Sequence, residues 1–266
     1  MNIIPIGHLL AERFLYLPNI GFCLFLTNLI LLIKNSNTRK YIFLVILIFL
    51  SLLTYNRNKV WSNDESLWKA TIKNSPNSYR AYNGLGIIYY NIKEYDKAEE
   101  LFKKAIDLEE YYENAYINLG LTYSGKGEFK NAIAVYSKLL KMNPNNASAY
   151  LNLGIIYARV KLSMNALECF KKSAELQPLN PATYNNIGLL YGGMGLKKEA
   201  IEMFNKSIHL EPNYSDAHFN LGTAYALSKN FNDAIKEYEI TLDIDPRHTL
   251  AIKQLELAKR ELKRQK

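Results

Sequence analysis

The residue types that most often carry chemistry are thinly spread in this chain of 266 residues. Its four histidines, His8, His209, His218 and His248, are scattered and do not assemble into a metal or acid–base constellation. Cys23 and Cys169 stand far apart in segments of different character, so neither a disulfide framework nor a metal knuckle is legible. Asp64 and Glu65 are adjacent carboxylates, but with Ser62 and Asn63 before them they form a capping box. Gly192, Gly193 and Gly195 have the composition of a phosphate loop, yet no strand precedes them and they fall where two helices must turn. No catalytic residue, metal ligand or cofactor is therefore expected. What does recur is asparagine. Asn118, Asn152, Asn186 and Asn220 stand 34 residues apart, and a row of amides, each with two N–H donors and a carbonyl acceptor, suits a peptide backbone without reading its side chains. One further polar pair, Glu12 and Arg13, sits before the first long apolar run.

The asparagines belong to a pattern that fills residues 79–248 without a gap, in five copies: 79–112, 113–146, 147–180, 181–214 and 215–248. Glycine holds the eighth place (Gly86, Gly120, Gly154, Gly188, Gly222) and alanine the twentieth (Ala98, Ala132, Ala166, Ala200, Ala234). Small residues there let two antiparallel helices cross closely. Leu85, Leu119, Leu153, Ile187 and Leu221 join Tyr89, Tyr123, Tyr157, Tyr191 and Tyr225 in one apolar stripe on the first helix. Phe102, Tyr136, Phe170, Phe204 and Tyr238 face them from the second. Pro144, Pro178, Pro212 and Pro246 stop the second helix of four copies, and Glu110 stands at that place in the first. A helical pair cannot bury its own apolar face, so about three or more must stack.

Both ends read as caps. The helix after Ser62 places Trp68 34 residues before Phe102, the second half of a repeat, so residues 56–78 are expected to be a linker and half-repeat. Residues 249–266 form an amphipathic closing helix with Ile252, Leu255, Ala258 and Leu262 on one stripe. The formal net charge of +8 is misleading, because residues 79–248 hold 19 Lys/Arg against 20 Asp/Glu and the excess lies at the termini. A phosphate-tracking surface, and hence nucleic acid, is not expected.

Residues 15–33 and 41–55 are almost wholly apolar, with a polar stretch at 34–40 between them. They read as a transmembrane hairpin, although the second run is short for a bilayer core about 30 Å thick. Lys34, Arg39 and Lys40 place that loop in the cytoplasm by the positive-inside rule, which sends the flank 1–14 and the repeats to the extracytoplasmic side of an integral membrane protein.

The aromatic, Leu-Gly, Tyr, Ala, aromatic and Pro spacing is identified as that of the tetratricopeptide repeat. This implies an all-α fold, an N-terminal hairpin followed by a right-handed α-solenoid, with a protein or peptide ligand on its concave face. The asparagine row resembles the ladder of the O-linked N-acetylglucosamine transferase superhelix, with Gly84 departing in repeat one. The segments 11–22 and 57–67, with the hairpin and repeats, closely resemble the transmembrane and tetratricopeptide repeat-containing proteins over essentially the whole chain. That resemblance implies protein O-mannosylation from a polyprenyl-phosphate donor, the repeats presenting the acceptor, the bilayer a second partner, and Glu12 and Arg13 near the donor. Members of that family carry more spans and an acidic catalytic motif ahead of this point. By itself the chain is therefore expected to bind and not to catalyse.

Overall fold

The computed structural model describes residues 30–60 and 63–265, and every regular element among them is an α-helix. The chain divides into two compact units, Met1–Ala70 and Thr71–Lys266.

The first unit is dominated by α1, Ser36–Val60, which begins where the Asn35 carboxamide oxygen accepts from the amides of Asn37 at 3.0 Å and Thr38 at 3.2 Å. That cap draws Ser36 to Lys40 into the helix, so of the polar stretch 34–40 only Lys34 and Asn35 lie outside it. Nor is the transmembrane hairpin borne out: among the described residues no helix is long and apolar enough to cross a membrane. Its first run lies almost wholly outside the described residues. Its second occupies only 41–55 of α1, bounded in sequence by Arg39, Lys40, Arg57 and Lys59. At about 1.5 Å per residue that run reaches roughly 22 Å, against a hydrocarbon core of about 30 Å. The integral-membrane localisation and the sidedness drawn from loop charges fall with it. Helix α2, Asp64–Asn74, is capped by Asn63, whose side-chain oxygen accepts from the Ser66 amide at 2.8 Å, while Glu65 pairs with Lys69 at 2.6 Å.

From Tyr79 onward the helices alternate in pairs. They are α3 Tyr79–Asn91 and α4 Tyr95–Leu108; α5 Glu113–Lys126 and α6 Phe129–Met142; α7 Ala147–Arg159 and α8 Ser163–Leu176; α9 Pro181–Gly193 and α10 Lys197–Leu210; α11 Ser215–Leu227 and α12 Phe231–Ile244. Helix α13, Thr249–Gln265, closes the stack. Within each pair, the eighth-place glycine lies under the aromatic ring of the second helix. A Cβ on Gly154 would stand 2.6 Å from the Phe170 ring, and one on Gly188 or Gly222 would meet Phe204 or Tyr238 at 2.5 and 2.8 Å. Those rings are at most 3% exposed. Burying an aromatic side chain against a bare backbone is the main apolar gain of each repeat.

The turn between paired helices is the same each time. Lys93, Gly127, Lys161, Gly195 and Lys229, all at the fifteenth place, adopt left-handed backbone with φ between 59° and 79°. The next amide then reaches back five residues to the stripe tyrosine, as from Leu162 to the Tyr157 carbonyl at 2.9 Å. Glycine adopts this conformation freely and lysine does so at a cost. Successive pairs pack second helix to next first helix, and each first helix also packs on the next first helix, whereas no second helix packs on the next second helix. The wall of α3, α5, α7, α9 and α11 is thereby continuous.

Two stability changes are expected. Gly154→Ala drives a methyl into Phe170 and lowers stability by about 1–3 kcal/mol, whereas Lys161→Gly relieves the left-handed turn and adds a few tenths to about 1 kcal/mol. Urea and thermal midpoints by circular dichroism read both.

Candidate functional site

The wall of first helices carries the asparagine row at the sixth place. All four side chains are half-buried, but their amides are not equivalent. Asn118 donates from Nδ2 to Oδ1 of Asn83 at 2.9 Å, and Asn220 does the same to Asn185 at 2.9 Å. Both acceptors sit at the fifth place of the preceding repeat, so these two amides stitch neighbouring repeats together. In repeats two and three the fifth place holds Ile117 and Leu151, which offer no acceptor. Asn186 turns back to the Ala182 carbonyl at 2.8 Å. Asn152 makes no side-chain hydrogen bond among the described residues, and it lines a cavity.

That cavity, of about 400 Å³, opens between repeats one and three. Tyr90 and Tyr95 wall one side with ring centroids 5.7 Å apart. Gly125 makes room for the Tyr95 ring, since a Cβ there would come within 2.9 Å of it. Leu121 and Ile155 supply apolar floor, Ser124 a hydroxyl, and Arg159 the positive charge. Asn152 and Arg159 are seven residues apart on α7, two turns along one face and so about 10 Å from each other. Sequence reasoning passed over Arg159 because it sits at the thirteenth place, where the other copies have Asn91, Gly125, Gly193 and Leu227. Its spacing from Asn152 was the available signal.

A cluster of charge joins repeats one and two. Lys126 binds Asp96 at 2.9 Å, Glu99 at 2.7 Å and Glu128 at 3.1 Å. Burial works to raise the Glu99 pKa, but hydrogen bonds from Lys103, Lys126 and the Tyr123 hydroxyl outweigh it and bring it to about 2. His218, at the fourth place where the other copies have Tyr82, Tyr116, Tyr150 and Tyr184, faces Glu237 from Nδ1 at 2.7 Å and the Pro212 carbonyl from Nε2 at 3.0 Å. The Glu237 hydrogen bond raises its pKa against desolvation, and an oxygen stands at each ring nitrogen. Tyr184, one repeat earlier, makes the matching bond to the Pro178 carbonyl at 3.0 Å, so this histidine keeps a structural bond and gains a carboxylate from the second helix. His248 accepts from the Ala251 amide at 3.1 Å and caps α13, while His209 is exposed. Burial pushes the Cys169 thiol up to about 11, which leaves it a poor nucleophile at neutral pH. Among the described residues no three His, Cys, Asp or Glu side chains cluster to hold a metal. His8, Glu12, Arg13 and Cys23 lie outside the described residues. Gly195 is a left-handed turn residue between α9 and α10.

Family models described as tetratricopeptide repeat match residues 79–112, 147–178, 181–214 and 203–236, and one described as TPR repeat matches 125–160. The chain belongs to the tetratricopeptide repeat family. Among curated relatives, Protein O-mannosyl-transferase Tmtc2 of Drosophila melanogaster is 35% identical over 98 residues, covering 35% of this chain and 10% of the relative. Protein O-mannosyl-transferase TMTC3 of Mus musculus is 31% identical over 98 residues, covering 35% and 11%. The similarity seen in the sequence to that family is thus present over about a third of the chain, which spans about a tenth of the length of those relatives. A chain of the APC/C hetero-tetramer Cut9–Hcn1 superposes with TM-score 0.65 at 20% identity, covering 76% of this chain and 39% of that one. YrrB, described as a TPR protein with an unusual peptide-binding site, superposes with TM-score 0.50 at 23% identity, covering 70% and 96%. At such identities these two share the fold.

The depressed Glu99 pKa has a definite sign. Its contribution to stability is complete above the ordinary carboxylate value of 4.5 and is lost as pH falls through about 2. Glu99→Gln should therefore flatten the loss of stability between pH 4.5 and 2, as measured by denaturation midpoints across that range.

Proposed function

We propose that this protein is a peptide-binding scaffold that holds an extended segment of a protein partner along the concave wall of its first helices, without catalysing a reaction within the repeats. The observation that carries the reading is the cavity of about 400 Å³ lined by residues of α3, α5 and α7 together with Tyr95 and Tyr136, with the uncommitted amide of Asn152 in its lining. An amide that is half-buried and has no partner is poised to exchange hydrogen bonds with a peptide group. The continuous packing of first helix on first helix supports a groove long enough for several residues of extended chain, and the likeness to YrrB in fold is consistent with such use. In this reading Asn152 makes the principal amide contact. Asn118, Asn186 and Asn220 contribute through the donor or acceptor that each leaves over.

A second reading follows from the similarity to the protein O-mannosyl-transferases: the held segment is an acceptor polypeptide, and sugar transfer is performed by residues outside these repeats. It differs from the first only in the fate of the bound chain.

Peptides selected on the full chain from a random display library test the first reading. Asn152→Ala should weaken their binding by about 3- to 10-fold, equivalent to one hydrogen bond, with the thermal midpoint unchanged. Asn118→Ala should lower the midpoint as well, because it removes the stitch to Asn83. Selected peptides that bind with equal affinity to the Asn152→Ala protein would refute the assignment.

A further inference from the structure

We propose that the cavity between repeats one and three selects an acidic side chain, so that the peptide held on the wall carries an Asp or Glu against Arg159 with an apolar residue beside it. The inference rests on the peptide-binding reading and adds to it the chemistry of the bound segment.

The charge around the cavity carries the argument: its lining, drawn from α3, α4, α5, α6 and α7, contains no carboxylate, and on α4, the helix of Tyr95, Asp96 and Glu99 are paired with Lys126. Helices α3 and α7 contain no carboxylate. Helix α5 contains only Glu113, and both of its oxygens are occupied, by the Asn143 amide at 2.8 Å and the Asn146 amide at 2.6 Å. The cationic side chain nearest the repeat two turn, Lys126, is saturated by three carboxylates. Arg159 has no carboxylate partner among the described residues, although it lines the cavity. An unneutralised guanidinium at the rim of a pocket with phenolic and aliphatic walls attracts an anion and repels a cation, and its planar donors match a carboxylate in two-point contact. The remainder of the lining sets the second requirement. Tyr90, Tyr95, Leu121 and Ile155 offer a surface on which an apolar side chain is desolvated. Asn152, two turns from Arg159 on the same face, is spaced to take a main-chain peptide group about three residues along an extended ligand, at roughly 3.3 Å per residue.

Two alternative anions fit less well. A phosphate would bring close to two negative charges to a lining that contains one cation. A free C-terminal carboxylate needs a closed end, whereas the wall runs on past the cavity to α9 and α11.

The test uses the full chain and amidated, acetylated peptide sublibraries in which one central position is fixed as Glu, Gln or Lys and the others are randomised. Binding is read by fluorescence anisotropy at low and moderate salt. The Glu-fixed pool is expected to bind about tenfold more tightly than the Gln-fixed pool, and the advantage should shrink with salt. Arg159→Gln should remove the preference, and Arg159→Glu should turn it toward the Lys-fixed pool. Because Arg159 also lies in the last turn of α7, where a cation favours the helix, the Gln variant guards against a folding loss in the Glu variant. Asn152→Ala should weaken all three pools while keeping their order. Equal binding of Glu- and Gln-fixed pools, or a preference that survives Arg159→Gln, overturns the acidic specificity and leaves the peptide-binding reading standing. Failure of every pool to bind the wild-type chain overturns that reading and this one together. Tight binding only by peptides with a free C-terminal carboxylate places the anion at a chain end and overturns the side-chain assignment.

Discussion

The contact on which everything else depends is the crossing of the two helices in each repeat, where a glycine backbone receives an aromatic ring. Gly154 under Phe170 is representative: the ring is 1% exposed, and no side chain larger than hydrogen fits between it and the helix. This one close approach sets the angle and distance of the pair. It also buries the largest apolar side chain the repeat owns, which offsets much of the entropy of ordering two short helices. Helices of 13 or 14 residues are marginal alone, so the pair and its neighbours must form together. The twenty-seventh place of each copy is enclosed as tightly. Ala105, Leu139, Ser173, Ser207 and Thr241 are all fully buried, and where that residue is polar its hydroxyl finds a partner, as Ser207 does at the Pro181 carbonyl, 2.9 Å away.

The continuous wall of first helices is a consequence of that crossing. Once pairs stack with first helix against first helix, places five and six of successive repeats come face to face. The identity of place five then decides what place six is free to do. Asparagine there ties up the next repeat's amide, whereas isoleucine or leucine releases it. The molecule thus has two stitched junctions, Asn83 to Asn118 and Asn185 to Asn220, flanking the stretch where Asn152 is uncommitted. Gly125 and Arg159 share another place, thirteen, and divide its roles: the absence of a side chain at one admits the Tyr95 ring, and the charge of the other gives the resulting hollow its sign.

The core of each repeat was legible from residue spacing because the determining contacts are local. Glycine, tyrosine, alanine and phenylalanine at set offsets declare a helix, a turn and a second helix packed on the first, and each observed helix of the stack falls where its copy requires. On the closing helix the packing falls on Ala251 and Ala258, while Ile252 of the expected stripe is 43% exposed. The apolar N-terminal runs misled, since hydropathy alone counted residues 41–55 as a span, while the helix that contains them does not have a long enough apolar stretch. The capping side chain came out one residue from its expected place, at Asn63, because capping depends on which oxygen reaches the amides of the first turn.

The sequence by itself determined that this chain stacks helical pairs, where each pair begins and ends, and that four asparagines recur in phase. These depend on contacts within about 34 residues. Only the tertiary structure decided that the asparagines are unequal, that Glu237 completes His218, and that Arg159 stands in a tyrosine-walled cavity without a carboxylate. Each of those facts depends on which side chains the packing of helix on helix brings together, such as the acceptor 35 residues away that Asn118 and Asn220 have and Asn152 lacks.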